Sequence, residues 1–494
     1  MICAHEPTVD PRIRWEAEFA ADRFAVTVLG FKEPGSFAPD FERVNGYDIV
    51  RRQRMDLSSG YFLWRLKDVI SRPVLIALAI VAVLLYALVV AAEVVFRALR
   101  ALERVLLGVL KQPWAPVTLS VPLLLLKDLK ARAGRGVMRQ RFHYVLALLR
   151  TQFSPATAIF WKYIKEAGEK PDVVHCNDLD TLLVGALAKQ TLKCRVIYDA
   201  HEFFPVADSL CRWLDTTFFS IVERNLIRKA DAVVTVNPLL AEAMRKAYRL
   251  ARVYSVPNVE IWDESRPPPE QNSRMATLAA GRVKFLFQGR FTLARGIEEI
   301  IRAWSLVDGT RAALFLRGPD NMWRKAAMDL AAQFGLLDTS IYFLDAVAED
   351  MLVSAAAEAD VGIIPYLPLA INERLSCPNK LSQYLHAGLM VITNDLPYVK
   401  SIVADARAGL SYTSDDLSTL AAAIELVVND PKLLRQSRES ALRFARENFN
   451  WQVHGTTLLR LYAGAVADEP ISAGRAGDLD RPAAGAAATR PRGA

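Results

Sequence analysis

The chain has 494 residues, 52% of them hydrophobic, with 61 Lys or Arg against 54 Asp or Glu and a net charge of +7. Single apolar cores rarely grow past about 250 to 300 residues, so this length predicts two or three domains. The charge is uneven: residues 51–150 hold 17 cations and five acids, +12 in all, which leaves about −5 on the rest and argues against a general nucleic-acid binder.

Five widely spaced cysteines with no CxxC pair exclude a zinc ribbon and a disulfide framework, and they fit a reducing compartment. The N-terminus "MICAHEPTVDPRI" lacks a basic segment followed by an apolar one, so no secretory signal is expected. "MICA" reads as the stub of a first strand and "FAVTVLGF" (24–31) as the next.

Residues 73–92, "PVLIALAIVAVLLYALVVAA", include twelve Val, Leu or Ile. As a helix, twenty residues span about 30 Å, the thickness of a bilayer core. Strands before residue 60 and after 170 must complete one sheet, so a lone crossing would separate them. The expectation is a hairpin returning through 105–126, where Lys111, Pro113, Pro116 and Pro122 interrupt the apolar run, or a helix lying in one leaflet. Arg65, Lys67 and Arg72 precede the run and Arg97, Arg100 and Arg104 come after it, which places both ends on the cytoplasmic side against anionic headgroups. The remaining alternative is a segment packed between lobes or against another subunit.

From Pro171 onward short apolar runs alternate with amphipathic stretches, the pattern of βαβ units. Strands are expected at 172–177, 195–202, 232–237 and 253–258, with helices at 179–190, 213–229 and 238–249. These close an N-terminal lobe over 1–262, interrupted by a hydrophobic and basic insertion at 60–140. Residues 263–282, with three consecutive prolines, read as a linker. A second lobe spans 283–430, with strands at 283–289, 312–318, 341–344, 361–366 and 390–393. Two closing helices span 431–466, and the Ala, Gly, Pro and Arg rich tail 467–494 has too few large apolar residues to order itself. The fold class is α/β with two doubly wound lobes, and a ligand is expected at the carboxyl ends of their strands.

Two stretches carry chemistry. In "FQGRFTLARGIEEIIRAW" (287–304) Arg290 and Arg295 bracket a loop whose amides, with a helix starting near Gly296, would face a phosphate. In "CPNKLSQYLHAGLMVITND" (377–395) a helix opens at Pro378 with Asn379 and Lys380 in its first turn. A lysine there opposes the helix dipole unless an anion sits beside it.

With "NFNWQVHGTTLLRLY", these stretches resemble the C-terminal lobe of retaining glycosyltransferases of family 4, which have the GT-B fold. "HEPTVDPRI", "DVVHCND" and "YDAHEFFP" resemble that family's N-terminal lobe. The resemblance covers about residues 1–50 and 145–465. It implies transfer of a sugar from a nucleotide-diphosphate donor with the anomeric configuration kept, and no metal. It assigns Arg290 and Arg295 to the donor diphosphate, and Gly289, Gly296, Asn379, Lys380 and Leu381 to the same nucleotide-sugar site. His201 falls near the transferred sugar, with Glu202 beside it; Asp10 and Arg12 organise the first loop, and His175 is structural or on the acceptor side. The family's glutamate that binds the ribose is replaced by Gln383, and its partner eight residues earlier by Leu375, with Glu373 the nearest acid.

Breaking the glycosidic bond leaves negative charge on the diphosphate, which arginines and helix termini can stabilise without a metal. No pair of facing carboxylates stands out, which argues against a glycoside hydrolase. An epimerase of the same architecture and an inactive GT-B scaffold are the alternatives. A membrane-held transferase of this kind points to a lipid-linked or glycan acceptor, in surface polysaccharide or glycolipid assembly at the cytoplasmic face.

Overall fold

The computed structural model describes residues 1–33, 35–53, 155–166, 170–203, 213–266 and 273–467. The apolar run 73–92, the segment 105–126 and their basic flanks lie outside these residues, as do the triple proline and all but the first residue of the tail. Among the described residues no helix is long and apolar enough to cross a membrane.

In the N-terminal lobe Asp10 caps α1 (Pro11–Ala21), its carboxylate accepting from the Arg12 N–H at 2.9 Å. Pro11 takes the first helical position, where its missing N–H costs nothing. The strand β1 (Thr27–Lys32) comes next, then β2 (Phe41–Val44) and β3 (Tyr47–Gln53), an antiparallel hairpin not among the expected elements. Its turn is Asn45-Gly46, with φ of 47° and 88°, the two left-handed residues that a tight hairpin turn requires.

Helix α2 (Pro155–Glu166) leads to β4 (Val173–Asn177), α3 (Leu179–Leu192), β5 (Arg195–Ala200), α4 (Trp213–Leu226), β6 (Ala232–Thr235), α5 (Pro238–Tyr248) and the short β7 (Tyr254–Ser255). Strands β4 to β7 are parallel neighbours in that order. The expected stub is the missing central strand: Ile2 bridges Leu29 on one side and Cys176 on the other, both in parallel register. The sheet order reverses at this stub, so the loops after Ile2 and after β4 open a crevice.

Residues 256–266 cross to the second lobe. Within the stretch expected as linker, α6 (Arg274–Ala279) forms a helix capped by the Ser273 hydroxyl, with Met275 fully buried, because an apolar face at that spacing has β8 and β9 to cover. The second lobe runs β8 (Val283–Gln288), α7 (Ile297–Trp304), β9 (Ala312–Arg317), α8 (Met322–Gln333), β10 (Ile341–Leu344), α9 (Leu352–Ala356), β11 (Val361–Ile364), α10 (Ile371–Arg374), α11 (Asn379–His386), β12 (Met390–Thr393), α12 (Pro397–Asp405), β13 (Gly409–Ser411) and α13 (Leu417–Asn429).

Its sheet is all parallel in the order β10-β9-β8-β11-β12-β13. The apolar runs of these strands are continuous rather than alternating because helices cover both faces. Strand order reverses between β8 and β11, which sets a second crevice at their carboxyl ends.

Helices α14 (Pro431–Glu447) and α15 (Trp451–Val466) close the fold. The latter returns to the first lobe: Trp451 packs tilted against Trp15 of α1 with ring centres 5.9 Å apart, and the Tyr462 hydroxyl hydrogen-bonds His175 of β4 at 2.8 Å. The two lobes are also tied by the Arg14–Glu349 ion pair at 2.9 Å and by Asn237, whose amide donates to the Leu375 carbonyl at 2.6 Å.

Candidate active site

The crevice of the second lobe is built from the loops at the carboxyl ends of β8 and β11. Gly289 and Arg290 leave β8, Pro365 and Tyr366 leave β11, and α11 starts beside them behind Pro378. Lys380, in the first turn of α11, donates from Nζ to the Tyr366 hydroxyl at 2.7 Å and lies 4.6 Å from the centre of the Phe287 ring. The Arg295 guanidinium stacks on Tyr366 at 4.0 Å. Tyr366 therefore holds two cations together.

Among the described residues no carboxylate lies within ion-pair distance of Lys380, Arg295 or Arg290. Lys380 is 5% exposed, and burial, with the neighbouring Arg295 as a smaller cause, holds its ammonium well below the usual lysine range. A buried cation without a counter-ion is costly unless a ligand supplies one. Arg290 is exposed at the mouth.

The two helix N-termini differ. The first turn of α7 carries Glu298 and Glu299, which already complement the dipole, whereas the first turn of α11 carries no acid. The anion-facing terminus is thus that of α11, with Lys380 projecting from it. Gly289, at φ 142°, lets Lys380 approach: a Cβ there would stand 3.2 Å from Nζ. Gly296, at φ 64°, begins α7 where a Cβ would collide with the Pro365 carbonyl oxygen. Gly296→Ala is accordingly expected to lower stability by about 1–3 kcal/mol, read by denaturant unfolding, and to weaken nucleotide binding by displacing Arg295.

Other expected contacts take different places. Leu381 is fully buried in the core and its N–H donates to Pro378 O at 2.9 Å, so it supports α11 from behind. Gln383 is buried, 3.4 Å from the Gln288 amide. Glu373 caps its own turn, accepting from the Ala370 N–H at 3.1 Å. Glu202 faces the crevice from the first lobe, held by the Asn372 amide at 3.2 Å; burial and Asp178 push its carboxyl up to about 7.

At the crevice of the first lobe, His201 sits just past β5. Its Nε2 donates to Asn177 Oδ1 at 3.2 Å, and its Nδ1 lies 3.5 Å from both Asp10 and Asp178. Burial alone would lower its pKa, but Asp178, Asp10 and Asp199 outweigh it and the net direction is up. The ring is therefore held in one orientation by Asn177, Asp10 and Asp178. Asp178 sits at φ 59°, a strained conformation for a non-glycine residue, with Oδ1 accepting from the His201 N–H at 3.1 Å.

Behind His201, Arg12 is buried and does more than organise the first loop. It pairs with Asp199 at 2.7 Å and Glu16 at 3.1 Å, and Nη1 donates to Val256 O at 2.8 Å and Asn258 Oδ1 at 3.0 Å. His175 completes this network, 3.2 Å from Glu16. Glu16, His175 and Asp199 could ligate a metal by geometry, but the Arg12 guanidinium already serves as their cation. His175 is thus structural, bonded to Tyr462 of the closing helix. Tyr366 and Phe287 are site residues outside the expected set; a tyrosine just past a strand end is their only sequence signal.

Residues 17–258 match the glycosyl transferase 4-like domain and residues 282–430 match glycosyl transferases group 1. The chain belongs to the family 4 glycosyltransferases, with the GT-B fold. Glycogen synthase of Mycobacterium tuberculosis is 21% identical over 61% of this chain and 70% of its own length. The sucrose-phosphate synthase structure of Thermosynechococcus elongatus superposes with a TM-score of 0.62 at 16% identity, covering 95% of this chain and 98% of that one. The Anabaena HepE structure in complex with UDP-glucose gives a TM-score of 0.51 at 18% identity over 63% and 83% of the two chains. This glycosyltransferase thus shares with them a two-lobed α/β fold at low sequence identity.

Proposed function

We propose that this glycosyltransferase moves a sugar from a nucleoside-diphosphate sugar to an acceptor with retention of configuration, in assembly of a surface polysaccharide or glycolipid. The observation that carries it is the pair of unmatched cations, Lys380 and Arg295, gathered on Tyr366 at the N-terminus of α11. A diphosphate supplies the missing charge, and more so as the glycosidic bond breaks and negative charge grows on the leaving group. These groups deliver that stabilisation from the protein itself, so the reading includes no metal requirement. HepE in complex with UDP-glucose supports a nucleotide-sugar donor.

His201 lies across the crevice, its ring held by Asn177, Asp10 and Asp178. Positioned there, it can bond a sugar hydroxyl or the departing phosphate. Retention results from departure and attack on one face of the sugar, with the diphosphate as the base that takes the acceptor proton.

The acceptor is read as lipid-linked and the site as the cytoplasmic membrane face. Support comes from the sequence of the insertion, twenty apolar residues with basic flanks. The test is turnover of UDP-, GDP- and dTDP-sugars by the full chain in detergent, with product anomer by NMR. Arg290→Ala is expected to cut kcat/KM about tenfold, because an exposed guanidinium steers and holds the diphosphate at the mouth. No binding of any of these donors would favour the scaffold reading, and epimerised donor without transfer would favour the epimerase.

A further inference from the structure

Three residues follow β5 along the rim of the first crevice, and each is anchored. The His201 N–H donates to Asp178 Oδ1 at 3.1 Å, and the Phe203 ring stacks on Tyr248 of α5 with centres 5.6 Å apart. A further anchor comes from the other lobe: Asn372 of α10 accepts at Oδ1 from the Phe203 N–H at 2.7 Å and donates from Nδ2 to the Phe203 carbonyl at 3.1 Å. One amide thus satisfies both main-chain groups of a residue, as a neighbouring strand would. Nδ2 has a second hydrogen, and it goes to Glu202 Oε2 at 3.2 Å.

Asn372 is 8% exposed, and the stretch it belongs to is fixed along its length. Beside Arg295 the Leu367 N–H donates to the Ala294 carbonyl at 3.0 Å, and ahead of Lys380 Asn258 Nδ2 donates to the Cys377 carbonyl at 3.1 Å. Residues 367–377 therefore run from one donor-site cation to the other, with Asn372 between them. Its amide cannot turn without giving up three hydrogen bonds.

Glu202 is exposed to the crevice, and its Oε1 makes no hydrogen bond among the described residues. A carboxylate held by one oxygen presents the other as an acceptor in a fixed direction, which suits a ligand that brings hydroxyl donors. The sugar of a nucleotide sugar held by Lys380 and Arg295 is such a ligand. We infer that Glu202 is a specificity-determining residue that accepts from hydroxyls of the transferred sugar, and that Asn372 is the positioning residue that aims it from the opposite lobe. This rests on the nucleotide-sugar reading of the same crevice.

The test is calorimetry on the full chain in detergent at pH 8, above the value of about 7 of the Glu202 carboxyl, with UDP, GDP and dTDP and their hexose esters. The diphosphate and nucleotide sugar that the wild type binds are then measured on Glu202→Gln, Asn372→Ala and the double variant. Each single variant is expected to raise the ratio of nucleotide-sugar Kd to free-diphosphate Kd about tenfold, with diphosphate affinity kept within about threefold. The double variant is expected to lose no more than Glu202→Gln alone. A ratio unchanged in Glu202→Gln, or an equal loss of diphosphate and nucleotide sugar, overturns the inference, and additive losses in the double variant overturn the part given to Asn372. If Asn372→Ala fails to fold, Glu202→Gln, which keeps an acceptor oxygen for Asn372, decides alone. A wild type that binds no diphosphate overturns the donor reading and this inference with it, whereas diphosphate binding with an unchanged ratio contradicts the inference only.

Discussion

Lys380→Met is expected to lower kcat/KM by about 100- to 1,000-fold while making the unliganded protein more stable. The loss comes from removing a buried donor aimed at the leaving diphosphate, where one such group is typically worth about 3–4 kcal/mol in the transition state. The gain arises because the ammonium has Tyr366 as a hydrogen-bond partner but no counter-ion, and Arg295 repels it. Methionine keeps the stem against Phe287 and removes the charge, for a stabilisation of about 1–4 kcal/mol.

The pH dependence has a definite sign. Because the folded-state value lies below the unfolded one, the unfolded chain binds a proton that the folded protein does not. The Lys380 contribution to stability therefore rises with pH up to about 10.4, and the variant lacks that contribution. Urea unfolding of both proteins at pH 7 and pH 9.5 checks it.

Arg12→Met is expected to cost about 3–5 kcal/mol, because it leaves Glu16 and Asp199 buried without the guanidinium they share. The same network gives stability a maximum in pH. Asp199, though burial opposes it, is held well below the usual carboxylate range by Arg12, so its contribution is present at neutral pH and lost as pH falls below about 4. His175, lowered by burial but raised more by Glu16 and Asp199 to about 9, contributes fully below about 6.5 and loses that contribution as pH rises through 9. Glu16, raised by burial and Asp199, titrates in the same direction as His175. Unfolding of His175→Gln is expected to lack the part of the alkaline decline centred near pH 9.

Much of the fold was legible because parallel strands buried on both faces are continuous apolar runs, such as 283–288 and 361–364. The four-residue stub "MICA" was readable because a sheet interrupted at 24–31 needs a central strand, and Ile2 supplies it. The hairpin β2–β3 was missed although Asn45-Gly46 announces it, since its flanking residues alternate weakly on an exposed edge.

In the candidate site, the cations and glycines stand out in the sequence because phosphate chemistry restricts residue type. Tyr366 was not legible, since its role depends on a partner 14 residues away at Lys380. That the Leu381 side chain enters the core was not legible, because a motif gives adjacency along a helix but not which face is buried. Arg12 looked like a loop residue until the sheet brought Asp199 of β5 against it.

The most direct measurement compares UDP, GDP and dTDP with their unphosphorylated nucleosides by calorimetry, on the wild type and on Lys380→Met. One diphosphate is expected to bind at least about 100-fold tighter than its nucleoside, with that ratio collapsing in the variant. Equal affinity for diphosphate and nucleoside, or a ratio unchanged by Lys380→Met, would contradict the assignment of Lys380 and Arg295 to the donor diphosphate.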